Sequence, residues 1–163
     1  MPESHIDIGS RLELFVDDYL IDSMDGTSLK MHHPIPREVV LQHDRPWEGS
    51  ATWAHVVLKE DGKYRMWYRC DPVPKGEEYH DSKAITAYAE SDDGIHWEKP
   101  DLGLIEYQGS KHNNLVWADP GINFAPFKDG NPEAKTDELY KAVIRGNDTD
   151  RNVIVALKSP DGL

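Results

Sequence analysis

The stretch Ala87-Tyr88-Ala89-Glu90-Ser91-Asp92-Asp93-Gly94-Ile95 returns as Val155-Ala156-Leu157-Lys158-Ser159-Pro160-Asp161-Gly162-Leu163, its serine 68 residues further on. A second correspondence runs in the same order. Tyr64-Arg65-Met66-Trp67-Tyr68-Arg69 precedes the first copy, and Tyr140-Lys141-Ala142-Val143-Ile144-Arg145 precedes the second, with the tyrosines 76 residues apart. Loops of unequal length absorb the difference. A chance recurrence of two turn signals would not reproduce two elements in one order, so the chain reads as a repeat whose unit cannot bury its own apolar face without a neighbour.

Working outward, the unit is made of strands. His55-Val56-Val57-Leu58 and the Tyr64–Arg69 stretch flank Lys59-Glu60-Asp61-Gly62-Lys63, where Asp-Gly supplies the positive φ angles of a tight hairpin. Residues 84–90 predict the next strand. Ser91-Asp92-Asp93-Gly94 then turns the chain, and Ile95-His96-Trp97 predicts the return strand of a third hairpin. Further strands are expected at 12–21, broken by Asp17-Asp18, at 39–41, at 113–117 and at 123–127, with long loops at 71–83 and 128–138. Four short strands per unit at this period are the signature of a propeller blade. The expected fold is therefore an all-β propeller, incomplete in this chain. Residues 1–37 would form an N-terminal strand and lead-in, 38–121 a first blade, and 122–163 a second blade cut before its counterpart of His96-Trp97. Two blades cannot close a ring, so such a fragment is expected to be inactive alone and prone to aggregate.

Of 163 residues, 30 are acidic and 18 basic, for a formal charge of −12. That charge repels both nucleic acid and an anionic membrane surface, and neither is expected as a partner; a neutral sugar is compatible with it. Cys70 is the single cysteine, so no internal disulfide and no cysteine-rich zinc site can form. His32-His33 are adjacent and point to opposite faces of a strand, which argues against a shared metal. No cofactor or metal is expected. The first eight residues lack a basic start and an apolar core, and no run approaches a spanning helix. The chain reads as soluble, with the compartment and export within a longer precursor left open.

Lys59-Glu60-Asp61-Gly62-Lys63-Tyr64-Arg65-Met66-Trp67-Tyr68 and Ala89-Glu90-Ser91-Asp92-Asp93-Gly94-Ile95-His96-Trp97 resemble the first hairpin and the third-strand turn of the five-bladed propeller glycoside hydrolases of families 43 and 32. The likeness covers residues 38 to 163. The Ser-x-Asp-Gly-x-x-Trp pattern also resembles the Asp-box of sialidases, which has one more residue between Asp and Gly. The Asn-Asp-Pro-Asn-Gly and Arg-Asp-Pro motifs of family 32 are absent. The resemblance implies hydrolysis of glycosidic bonds in oligo- or polysaccharides by paired carboxylates in an axial pocket, with a non-catalytic carbohydrate-binding or scaffold propeller as the alternative.

In the families it resembles, the innermost strand begins at the pocket. If residues 55–58 belong to that strand, the segment 44–53 and residues 69–71 face the pocket, whereas the Asp61-Gly62 and Asp92-Asp93-Gly94 turns lie at the opposite end and are structural. Glycoside hydrolysis needs an acid and a base or nucleophile. The candidates are Glu48, Asp44 and Asp71, with Glu77, Glu78 and Asp81 on the loop behind them; each competes with a role as a surface carboxylate or salt-bridge partner. Sugar rings want aromatic platforms and planar polar groups. Trp53, Arg69, His80, Asn123 and Arg145 are the expected substrate contacts, with Trp53 favoured and Trp47 a further platform, against the reading that these indoles fill blade packing. Trp67 belongs to the core. Two acids in an apolar strand are costly unless paired or at its end, so Asp17-Asp18 are read as capping a strand that closes the ring, with a catalytic or metal role as the competing reading.

Overall fold

The computed structural model describes residues 6–73, 76–77, 84–118, 121–148 and 151–163. The chain divides into two units, Met1–Arg37 and Glu38–Leu163. The described residues of the first unit contain no helix and no strand, so the strand expected at 12–21 does not form. Among the described residues of the unit its apolar run finds no partner edge, and a lone strand leaves its backbone groups unpaired.

The second unit is all-β. Strands β1 (Ala51–Glu60), β2 (Lys63–Asp71), β3 (Ile85–Ser91) and β4 (Leu115–Trp117) form one antiparallel sheet in the order of the chain; β5 (Gly121–Lys128), β6 (Tyr140–Asp148) and β7 (Arg151–Ser159) form a second. Asp61 (φ 49°) and Gly62 (φ 83°) make the two-residue turn between β1 and β2, with Glu60 opposite Lys63. A 3-10 turn at Thr136–Glu138 leads into β6. Residues 39–41 form no strand, and the return strand expected at 95–97 is reduced to one bridge between Glu90 and Glu98. The reason is local: Asp93 and Ser91 side chains take the amides that a ladder would use.

The repeat is structural. Tyr64 lies opposite Ser91 and Tyr140 opposite Ser159; Lys59 lies opposite Tyr64 and Lys128 opposite Tyr140. Both edge strands carry a bulge at the same place, between Trp53 and Val56 and between Ile122 and Ala125, and each bulge holds one residue at positive φ, Ala54 (47°) and Asn123 (60°). Both Ser-x-Asp-Gly turns fold alike: Ser91 Oγ accepts from Gly94 N at 2.9 Å, and Ser159 Oγ accepts from Gly162 N at 3.0 Å.

The two faces of the first sheet are both covered, which is why β3 is buried along most of its length. Met66, Tyr68, Cys70, Ile85, Ala87, Ala89 and Leu115 line one face beneath Leu41, Trp47, Trp97, Ile105 and Tyr107. Trp67 and Tyr88 line the other in edge-on contact, 5.5 Å between rings, and this face meets the second sheet. Both are essentially unexposed, and burial of rings this size contributes about 2–3 kcal/mol each. On the second sheet Tyr140, Ala142 and Ile144 are buried, while Val143 and Ile154 are exposed.

Candidate functional site

The register fixes which ends of the strands meet. Ala51 lies opposite Asp71 at one end of the β1–β2 pair, and the Asp61-Gly62 turn closes the other; Tyr64 opposite Ser91 puts the Ser91–Gly94 turn at that second end too. The open end carries a groove of about 380 Å³ whose lining includes Ser50, Trp53, Arg69, Asp71, Val73 and Glu77. Trp53 is 58% exposed there. Arg69 Nε donates to Asp71 Oδ1 at 2.9 Å, and both side chains are largely buried. The groove therefore combines an accessible indole with a planar guanidinium–carboxylate pair.

Gly49 positions that pair. It bridges in parallel to Asp71 with φ +65°, and a Cβ added there would sit 1.8 Å from the Asp71 carbonyl oxygen. Only glycine fits both the left-handed backbone and the close approach.

Three expected residues thus come together: Trp53, Arg69 and Asp71. Arg145 and Asn123 occupy the corresponding end of the second sheet, Arg145 opposite Ile122 as Arg69 is opposite Trp53, but the groove's lining comes from the first repeat alone. His80, Glu78 and Asp81 lie outside the described residues. Glu48 and Asp44, expected at the pocket, are placed elsewhere. The Glu48 carboxylate is fully buried and accepts from Tyr68 Oη (2.7 Å), Arg45 N (2.7 Å) and Lys99 Nζ (2.7 Å to Oε1). Burial pushes its pKa up, but the Arg45 amide, Lys99 ammonium and Tyr68 hydroxyl outweigh that and hold it below its ordinary value. A carboxylate with its lone pairs so occupied is a structural ion. Asp44 sits in solvent against Lys99 (3.2 Å), whose hydrogen bond lowers its pKa. Trp47 packs on the covered face and donates to Asn114 Oδ1 at 2.8 Å, so it offers no platform.

Around Glu48 the structure shows a polar cluster that the sequence did not reveal. His43 Nδ1 lies 3.4 Å from Glu48 Oε1, His55 stacks on the Tyr68 ring (9° between planes), and Asn114 Nδ2 donates to Tyr68 Oη at 3.0 Å. These residues are dispersed from 43 to 114 with no spacing that marks them as partners. The Ser91-Asp93 set is turn hydrogen bonding, and Trp97 donates to Gly94 O at 3.0 Å, as its sequence suggested. Cys70 is buried, and burial pushes its thiol pKa up, away from reactivity.

Two mycobacterial proteins are similar to this chain. The uncharacterized proteins MT1551 and Rv1502 of Mycobacterium tuberculosis, strains CDC 1551 / Oshkosh and ATCC 25618 / H37Rv, are each 36% identical over 75 residues, 46% of this chain. The chain spans about a quarter (24%) of the length of these curated relatives. No family model and no solved structure matches. Among the described residues no helix is long and apolar enough to cross a membrane.

Proposed function

We propose that the two sheets are blades of a β-propeller of the glycoside hydrolase type and that the groove at Trp53 binds a carbohydrate. The single observation that carries this reading is the exposed Trp53 indole beside the Arg69–Asp71 pair in one groove. An indole face covers the apolar face of a pyranose or furanose ring, and the paired planar groups hydrogen-bond its hydroxyls. The four-stranded meander and the repeated bulge support the blade reading.

Two carboxyl groups, Asp71 and Glu77, line the groove. Glycosidic cleavage assigns one as acid and one as base or nucleophile. Asp71, oriented by Arg69, takes the base or nucleophile role, and Glu77, on the loop, the acid role. The ion pair that ties Asp71 to Arg69 favours a second reading, recognition without turnover.

A glycan array of neutral oligosaccharides, followed by a hydrolysis assay on the glycans that bind, separates the two. The enzyme reading expects Trp53→Ala to weaken binding at least tenfold and Asp71→Asn or Glu77→Gln to abolish product while binding persists. Binding with no hydrolysis by the parent protein supports the recognition reading. No glycan binding overturns both.

A further inference from the structure

The polar cluster on the covered face of the first sheet contains a juxtaposition that its structural role does not require. His43 Nε2 and His55 Nε2 converge to 3.2 Å, with ring centroids 5.3 Å apart. The Glu48 carboxylate only accepts hydrogen bonds, so the contact with His43 Nδ1 places the proton on that nitrogen and leaves Nε2 of neutral His43 with its lone pair. That lone pair points at the second imidazole nitrogen. The tyrosine beneath holds both rings: His55 stacks on Tyr68, and His43 lies 5.0 Å from it, tilted. Tyr68 is itself pinned by Glu48 and Asn114.

The arrangement belongs to this sheet and not to the repeat. The bulge that turns His55 onto this face recurs in β5, where Phe124 occupies the same position, and Ile144 occupies the position of Tyr68. The repeated fold is thus satisfied by apolar residues in the places of His55 and Tyr68, and does not itself call for the His43–His55 contact.

We infer that Nε2 of His43 and Nε2 of His55 are two ligands of a divalent transition-metal site, with Glu48 orienting His43 from behind. Zn–N bonds of about 2.0–2.1 Å at tetrahedral angles put two nitrogens about 3.4 Å apart, close to the observed separation. A carboxylate on the far nitrogen is the usual support for a ligating histidine, fixing its tautomer and raising its basicity. Glu48 is saturated by Tyr68, Arg45 and Lys99 and does not enter the first coordination sphere. Among the described residues no group of three or more His, Cys, Asp or Glu side chains is placed to hold a metal, so among them the two imidazoles stand as the ligand pair. His55 is solvent-exposed, which gives the ion a path of entry. This inference is independent of the carbohydrate reading.

Titration of the chelator-treated protein with Co2+, followed by its visible d–d absorption and by Zn2+ competition, tests it. The expected result is one equivalent with the intense bands of a four-coordinate ion, weakened at least tenfold in His43→Ala and in His55→Ala. His96→Ala and the double variant His32→Ala/His33→Ala are expected to bind as the parent does; circular dichroism confirms that each variant is folded. Unchanged binding in the first two variants, loss of the bands in the His32/His33 variant, or no bands in the parent would overturn the assignment.

Discussion

Trp67 donates its indole N–H to the backbone carbonyl of Gly162, 95 residues away in sequence, at 2.9 Å. Beside it Arg65 Nη2 donates to Asp161 O at 2.6 Å, and the Arg65 guanidinium lies over the Trp67, Tyr88 and Tyr140 rings. The turn that ends the second repeat is seated on the aromatic face of the first. Glu60 completes the joint, accepting from Tyr140 Oη and Lys128 Nζ.

Trp67→Phe removes one buried hydrogen bond and keeps most of the ring. Its expected cost is about 1 kcal/mol, against about 3–5 kcal/mol for Trp67→Ala, which leaves a cavity between the sheets. Urea unfolding of both variants measures the difference. A Trp67→Phe protein as stable as the parent would show that the indole N–H contributes nothing to the joint.

Gly49→Ala should be among the most damaging single-methyl additions in the chain. The added Cβ meets backbone 1.8 Å away at a positive φ, so the approach of residue 49 to Asp71 must open. The expected outcome is a lower melting temperature together with loss of the carbohydrate binding proposed for the groove. Gly62→Ala, with nothing within 4 Å, is expected to cost about 1–2 kcal/mol from backbone strain alone and to leave the groove intact. Thermal unfolding and binding measured on both variants check this.

What could be read from the chain follows how local each signal is. Asp61-Gly62 and the Ser-x-Asp-Gly turns encode their geometry within a few residues, so the hairpin, the order of the strands and the repeat were legible, as was the role of Ser91 and Trp97. The strands expected at 12–21 and 95–97 failed for different reasons: one has no edge to pair with among the described residues of its unit, and in the other side chains capture the backbone amides. The groove was half legible, because strand direction alone brought Trp53, Arg69 and Asp71 to one end. Glu48 was misplaced because its neighbours Lys99, Tyr68 and Asn114 arrive from distant segments.

Glu48→Leu leaves Lys99 and the Tyr68 hydroxyl without their shared acceptor. Breaking a buried pair in this way costs about 3–5 kcal/mol. Adding Lys99→Met to the same protein should recover part of the loss, since the stranded charge is then gone. Chemical denaturation of the two single variants and the double variant forms the cycle; purely additive costs would mean that the two residues do not act as a pair.

The Asp93–His96 contact at the Ser91–Gly94 turn predicts a pH signature. Its hydrogen bond to Asp93 raises the His96 imidazole above the ordinary 6.5, and the His96 side chain, first among several donors, pulls Asp93 well below the ordinary 3.8. A raised histidine stabilises the turn fully below pH 6.5 and loses that contribution as pH rises through its folded value. A lowered carboxylate contributes above pH 3.8 and loses it as pH falls through its folded value. The turn is therefore firmest in the window between. An NMR titration of the His96 ring should give a midpoint above 6.5; a midpoint at or below 6.5 contradicts the pairing.

Carbohydrate recognition at Trp53 is the central claim, and its indole N–H resonance, assigned by comparison with Trp53→Phe, reports on it directly during titration with a neutral oligosaccharide. The account predicts that the Trp53 signal moves to saturation while the signal of the buried Trp67 stays fixed. A ligand that binds and leaves the Trp53 signal unmoved would contradict it.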